Sequence, residues 1–444
     1  MALNKFLLRS AITGALGGLL FGFDTAVIAG TTHALTGRFH LSPLELGFTV
    51  SIALWGTVLG AIFAGDVGQR IGSRATLRIM AILYVLSAIG CALAWNWPVF
   101  LIARFIGGLG IGGSSVLGPV YIAELAPAQY RGRLVGLFQI NIVVGILLAY
   151  FSNFLIASLH LGALEWRWEF GVSALPAVLF LLMLLSIPHS PRWLVTQSRV
   201  DEALQTLRLL ATPEPEAELK SIVDSIHVEA SARKEALFKR QYLKPILLAI
   251  AIAAFNQLSG INAVLYYLND IFASAGFSQL SGGLQAVIVG AINLLATILA
   301  ITLIDKLGRR TLLLIGCVGM TIGLSGIAAI FITGRDRGAL IFFLAGYTAC
   351  FALSSGAVLW VYMSEIFPNR VRVKGQALGC AVVWVMNGII SQVFPAMKAR
   401  SAALPFVIFA VVMAIQFFVT LFFFPETKGL SLEQLQNKLG LQET

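Results

Sequence analysis

Charge is scarce in this 444-residue chain: only 12% of its residues are Asp, Glu, Lys or Arg, against about a quarter in a soluble domain. With 58% apolar residues and a mean hydropathy of +0.87, the chain reads as a polytopic helical membrane protein. Cysteine is sparse as well. Cys91, Cys317, Cys350 and Cys380 sit in apolar runs without paired spacing, which argues against a disulfide framework or a zinc site. The five histidines are scattered, and no span presents a His/Ser or paired-Asp arrangement. An intramembrane enzyme therefore has no chemistry to start from, and no metal or other cofactor is expected. A Gly-x4-Gly-Lys-Ser/Thr loop is missing, which excludes ATP as the driving force. No Asn-x-Ser/Thr sequon occurs, which leans toward a bacterial inner membrane rather than a glycosylated surface.

What the chain has is long apolar runs, each of about 20 residues, enough to cross a hydrocarbon core of about 30 Å and too continuous for the alternating strands of a barrel. The expected fold is all-α: twelve transmembrane helices in two six-helix halves. The spans are expected near 8–30, 46–68, 76–95, 98–122, 132–158 and 168–187, then 244–274, 284–304, 311–333, 339–364, 374–396 and 403–424. Of the 31 Lys and Arg, 24 fall on one side of this arrangement, 6 on the other, and Arg104 lies within a span. The positive-inside rule then puts both termini in the cytoplasm. Lys5 and Arg9 before the first span suit a cytoplasmic start better than a signal peptide. The expected division is an N-terminal half over 1–189, a cytoplasmic linker over 190–243, a C-terminal half over 244–426 and a cytoplasmic tail over 427–444. Within the linker, 203–210 and 219–226 carry the spacing of short amphipathic helices.

The two halves echo one another. QRIGSR at 69–74 recurs as DKLGRR at 305–310; YIAELAP at 121–127 with Arg131 recurs as YMSEIFP at 362–368 with Arg372. IPHSPR at 187–192 and FPETK at 424–428 close the halves at nearly the same offset. Such ordered echoes mean two similar bundles with a site between them. The repeated charges, Arg74, Glu124, Arg131, Asp305, Arg309, Arg310, Glu365, Arg372 and Glu426, suit a cytoplasmic latch of ion pairs. Any single Arg among them also serves as a positive-inside anchor.

Two features inside the spans call for a function. The first is FNQLSGINAVLYY at 255–267, where Asn256, Gln257, Asn262 and Tyr266 interrupt an apolar run. On an unbroken helix the three amides would point about 100° or more apart and could not converge. Ser259 and Gly260 offer a break, tolerated at membrane depth only where the backbone is buried in protein or lines a watery cavity. The amides either glue helices together or replace the water around a neutral, hydroxyl-rich solute. The second feature is Asp24 in mid-span with Arg104 near the outer end of the fourth span, since a buried carboxylate needs a partner or a proton.

These motifs together resemble the sugar porter family of the major facilitator superfamily, from about Ala11 to Gly429. Further matching pieces are GGLLFGFDTAVIAG at 17–30, RFIGGLGIGG at 104–113, PHSPRWL at 188–194 and PETKG at 425–429. The resemblance implies a monosaccharide site between the halves formed by Asn256, Gln257, Asn262 and Tyr266 with Gln139, Asn293, Gly356, Trp360, Trp384 and Asn387, walled by Phe21 and Phe351. Amides pair with vicinal hydroxyls and indoles cover the apolar faces of a pyranose. It also implies that Asp24 carries the coupling proton and Arg104 is its switching partner. Asn256 stands where the family usually has a second Gln, Ala357 and Leu359 replace prolines before Trp360, and Val383 replaces a polar residue beside Trp384. His189 replaces the Glu of the usual Pro-Glu-Ser-Pro-Arg, and Gln69 and Ser73 weaken the first charged turn.

The implied function is import of a hexose or pentose by alternating access, in symport with a proton, by a chain that works alone in the bilayer with no nucleic-acid partner. An uncoupled facilitative carrier keeps the same fold, with Asp24 and Arg104 as a permanent salt bridge. A sugar-sensing receptor would want a long signalling tail, and little chain follows Glu426.

Overall fold

The computed structural model describes residues 4–231, 236–368, 370–430 and 434–435, with the side chains of 128, 129 and 227–231 left aside. The tail expected over 427–444 lies outside the described residues from 436 onward, as does the part of the linker at 232–235. Among the described residues, twelve helical stretches are long and apolar enough to cross a membrane. They are Lys5–Phe39, Pro43–Ile71, Ser73–Leu93, Trp97–Leu125, Tyr130–Ser158 and Gly162–Leu185, followed by Arg240–Tyr266, Gln279–Leu307, Arg309–Thr333, Arg337–Ile366, Arg372–Arg400 and Leu404–Phe423. Most run beyond the apolar cores visible in the sequence. A helix extends for as long as its backbone bonds are made, so polar flanks such as Leu35 to Phe39 continue the first span past its apolar run. Among the described residues the linker forms three α-helices, Pro191–Thr196, Val200–Leu209 and Pro215–Ser231, and the second buries Ala203, Thr206 and Leu207 on one face.

The chain separates into two compact units. The first comprises Met1–Val27, Ile52–Ser152 and His160–Arg233; the second comprises Ile28–Ser51, Asn153–Leu159 and Lys234–Thr444. The first span therefore passes from one unit to the other just beyond Asp24. In the first unit the helices meet at backbone distance. A Cβ at Gly108 or Gly112 would collide with the carbonyls of Ala53 and Thr57, and one at Gly22 with that of Ile142, the small-residue approach that substitutes for a hydrophobic driving force in lipid. In the second unit, Gly47 abuts the Gln392 carbonyl in the same way.

The echoes in the sequence reappear as matching hydrogen bonds inside each unit. In the first, Arg74 Nη2 donates to the Leu185 carbonyl (3.0 Å) and Tyr121 Oη to that of Pro188 (2.8 Å). In the second, Arg310 Nε donates to the Thr420 carbonyl (3.4 Å) and Tyr362 Oη to that of Pro425 (3.4 Å). Gly72 and Gly308 open the following helices with φ of 88° and 89°, a conformation that favours glycine. Glu124 hydrogen-bonds Ser190, and Thr427 Oγ1 donates to Glu365 Oε2 (2.6 Å). The match ends at three substitutions, the first of them Gln69 in place of Asp305. Arg309 ion-pairs with Glu365 (2.9 Å) and Asp305 (3.2 Å), but its counterpart is Ser73. Glu426 accepts from the backbone N–H groups of Arg309 (2.9 Å), Arg310, Thr427 and Lys428 (each 3.0 Å), but its counterpart is His189. That imidazole stacks on Trp193 at 4.9 Å, and its buried Nδ1 has no hydrogen-bond partner among the described residues. Among the described residues, Arg131 and Arg372 make long contacts to the carbonyls of Ala126 (3.5 Å) and Phe367 (3.3 Å).

Burial alone would raise the Glu426 carboxyl, but the four backbone donors outweigh it and hold it below the ordinary glutamate value of 4.5. A depressed folded value means that its stabilisation is complete above that pH and is lost as the pH falls through the folded value. Thermal unfolding in detergent should therefore show a lower midpoint for Glu426→Gln than for the unmodified chain near neutrality, with the gap closing as the buffer is brought below about pH 4. A gap that is the same at both ends would remove the carboxylate from this role. In the same assay His189→Glu, placing a carboxylate at the corresponding turn, should raise the midpoint.

Candidate functional site

The seventh span breaks where Ser259 and Gly260 fall. Helix Leu243–Leu258 stops, Gly260 adopts φ 82° and ψ 4°, and helix Ile261–Tyr266 resumes. Gly260 is required twice over, because any Cβ there would also run into the Phe409 ring. The groups exposed by the break are met from within. Ser259 Oγ donates to the Asn256 carbonyl (2.6 Å), and the fully buried Tyr347 donates to the Ser259 carbonyl (2.8 Å). The tenth span breaks too, into Leu340–Leu353 and Ser355–Ile366 around Ser354 at φ −119° and ψ −95°. The prolines whose absence before Trp360 predicts a gentler bend are not needed, since Ser354 Oγ donates to the Cys350 carbonyl (2.6 Å) and stabilises the interruption.

The break lets the amides converge. Asn262 Nδ2 donates to Gln257 Oε1 (2.8 Å), Gln257 Nε2 to Asn256 Oδ1 (2.8 Å), and Asn256 Nδ2 to the Ser355 carbonyl at the tenth-span break (3.1 Å). A second chain joins the eleventh span: Asn387 Nδ2 donates to Tyr266 Oη (3.1 Å), Ser391 Oγ to Asn387 Oδ1 (3.1 Å), and Tyr267 Oη to the Ser391 carbonyl (3.0 Å). Asn256, Gln257, Tyr266 and Asn387 are each at most 4% exposed, whereas Asn262 is half-buried and forms the more open end of its chain. Gly356 lies against the Phe351 ring, Trp384 is buried, and Trp360 is 43% exposed. Asn293 is buried in the eighth span. Phe21 and Gln139 are half-buried members of the other unit. Tyr347, Ser355 and Ser391 went unnoticed in the sequence. Their signal is a lone hydroxyl in an apolar run, which becomes informative only once the breaks are known.

In the first unit Arg104 Nη1 donates to Asp24 Oδ1 at 2.6 Å. The side chains are 3% and 13% exposed, and the guanidinium also lies 5.5 Å from the centre of the Phe170 ring. Neither Asp24 Oδ2 nor Arg104 Nε has a hydrogen-bond partner among the described residues. The pair is thus monodentate and incompletely satisfied, which at such burial is costly. A separate concavity of about 250 Å³ in the second unit is bordered by Thr36, Ser42, Tyr267, Asp270 and Lys398, with Lys398 Nζ donating to the Asp270 carbonyl (2.9 Å). It contains none of the residues expected to bind sugar.

Comparison with known proteins decides the family. Residues 10–439 match the sequence family described as "Sugar (and other) transporter". The chain belongs to the sugar transporter family. It is 37% identical to the arabinose-proton symporter of Bacillus subtilis, over 97% of this chain and 94% of that one. It is also 37% identical to the glucose transport protein of Synechocystis, over 97% of each. Its fold superposes on the inward-open conformation of the Escherichia coli xylose transporter XylE with a TM-score of 0.87 at 35% identity, covering 98% of this chain and all of that one. The chain is therefore a multi-pass membrane protein with the twelve-helix fold of this transporter family.

Within this sugar transporter fold, Tyr347 is what keeps the Ser259 carbonyl from being buried unpaired. Tyr347→Phe should destabilise the protein by about 1–3 kcal/mol, the cost of an orphaned buried acceptor, read as a lower unfolding midpoint in detergent. An unchanged midpoint would mean that another donor serves the break.

Proposed function

We propose that this chain imports a monosaccharide by alternating access in symport with a proton carried by Asp24, as a single chain in a bacterial inner membrane with both termini cytoplasmic. The observation that carries this reading is the buried Asp24–Arg104 pair, one of whose carboxylate oxygens has no hydrogen-bond partner among the described residues. A carboxylate in the membrane is neutralised either by a cation or by a proton. While Arg104 is at 2.6 Å the cation does this; when the two part, a proton must take its place. Asp24 stands just before the point where the first span passes between units, so its charge state is well placed to bias two conformations against each other.

The sugar site in this reading is Gln257 and Asn262 of the seventh span with Tyr266 and Asn387, extended by Asn293, Trp384, Trp360, Gly356 and Phe351. Gln257 and Asn262 supply donors and acceptors to adjacent hydroxyls, as a neutral polyhydroxylated ligand requires. The relatives are described as handling arabinose, glucose and xylose, so the substrate is a pentose or hexose. The repeated cytoplasmic charges, including Arg74, Glu124, Arg131, Glu365 and Arg372, act as the latch that holds one face shut. The uncoupled carrier differs only in making the Asp24–Arg104 pair permanent.

The test is uptake of radiolabelled glucose, xylose and arabinose into proteoliposomes. At one proton per sugar, an inward gradient of about one pH unit supports up to about tenfold accumulation. Asp24→Asn should abolish that accumulation while leaving counterflow in place. Exchange that ignores pH in both proteins would establish the facilitator.

A further inference from the structure

By position Asn256 belongs with the sugar ligands, yet its side-chain amide, engaged at both ends like that of Gln257, is the one of the three amides that bonds to another span among the described residues. Nδ2 donates to the Ser355 carbonyl (3.1 Å) and Oδ1 accepts from Gln257 (2.8 Å), while its own carbonyl accepts from Ser259 Oγ (2.6 Å). It is 4% exposed and sits at the inner end of the chain that starts at the half-buried Asn262. Its contact at Ser355 is the first residue after the tenth-span break, and the Ser355 hydroxyl, 1% exposed, has no partner among the described residues. A buried junction with a spare hydroxyl is held by few bonds and can rearrange when one of them is taken away.

Resting on the reading of the chain as a sugar carrier, we infer that Asn256 is a positioning residue and not a sugar ligand: it ties the break in the seventh span to the break in the tenth. A sugar that draws on Asn262 and Gln257 competes with their bonds to one another and to Asn256. The loss is felt at the Ser355 carbonyl, in an element whose backbone is already interrupted. Occupancy then biases the arrangement of the two breaks, which is the differential interaction a ligand needs in order to shift a conformational equilibrium. At its length the Asn side chain reaches both partners, at 3.1 Å and 2.8 Å, where the usual family residue, glutamine, is one methylene longer.

The experiment uses the full chain in proteoliposomes, with calorimetric binding of D-xylose, D-glucose and L-arabinose alongside counterflow of the same sugars. The unmodified chain is measured first; failure to bind any of the three overturns the sugar-carrier reading itself and needs no variant. Asn256→Leu should bind the sugar within about twofold of the unmodified chain while its maximal counterflow rate falls about tenfold or more, and Gln257→Leu should lose binding. Binding lost in Asn256→Leu in step with its rate would make Asn256 a ligand, and an unchanged rate would give it no role; either result overturns the inference. Should Asn256→Leu not fold, Asn256→Asp decides. Its protonated form can donate to the Ser355 carbonyl and its ionised form cannot, so counterflow relative to the unmodified chain should be near normal at about pH 5.5 and reduced several-fold at about pH 8. A ratio equal at both pH values overturns the inference.

Discussion

Every polar backbone group in a membrane must find a partner inside the protein, and the seventh span of this chain depends on that constraint. An unbroken helix satisfies it automatically and would send its amides in divergent directions. A broken helix brings them together but exposes carbonyls and N–H groups that lipid cannot serve. Ser259, Tyr347 and Ser354 meet that need at the two breaks, and the amides complete the set by bonding to one another and to the Ser355 carbonyl. The polar cluster is therefore the condition on which irregular backbone can exist at this depth.

The same constraint explains why charge is distributed as it is. Away from the flanks, the chain uses ionised groups sparingly, and the Asp24–Arg104 pair leaves Asp24 Oδ2 and Arg104 Nε without a partner among the described residues. At the helix ends, where water is near, the second unit uses a compact network in which Glu426 gathers four backbone donors and Arg309 gathers two carboxylates. The first unit repeats the tethers of Arg74 and Tyr121 but has Ser73 and His189 where the network's charged members would stand. Duplicated units have thus kept their tethers to backbone carbonyls and diverged in their ion pairs.

Twelve apolar runs, the internal repeat and the family motifs made the fold and the class of solute legible without coordinates. Length and hydropathy set how many times a chain crosses a bilayer, and the positive-inside asymmetry orients it. The break at Gly260 could also be anticipated, because three amides within about two turns are useless on a straight helix and Gly is the residue that permits the alternative. The break at Ser354 could not. Its usual signal, proline, is missing, and a serine in an apolar run says nothing of φ until a neighbouring carbonyl is there to receive its hydroxyl.

Sequence alone determined which residues are polar inside the membrane, because an amide or a carboxylate within an apolar run carries a burial cost that some partner must offset. Only the tertiary structure decided what each of them does. A side-chain amide has a limited number of hydrogen bonds to make, and whether they go to a solute or to another helix depends on which groups lie within about 3 Å. Asn256 and Asn262 are alike on the page of letters, both asparagines beside the same break. Packing put one against the Ser355 carbonyl and left the other at the open end of the chain.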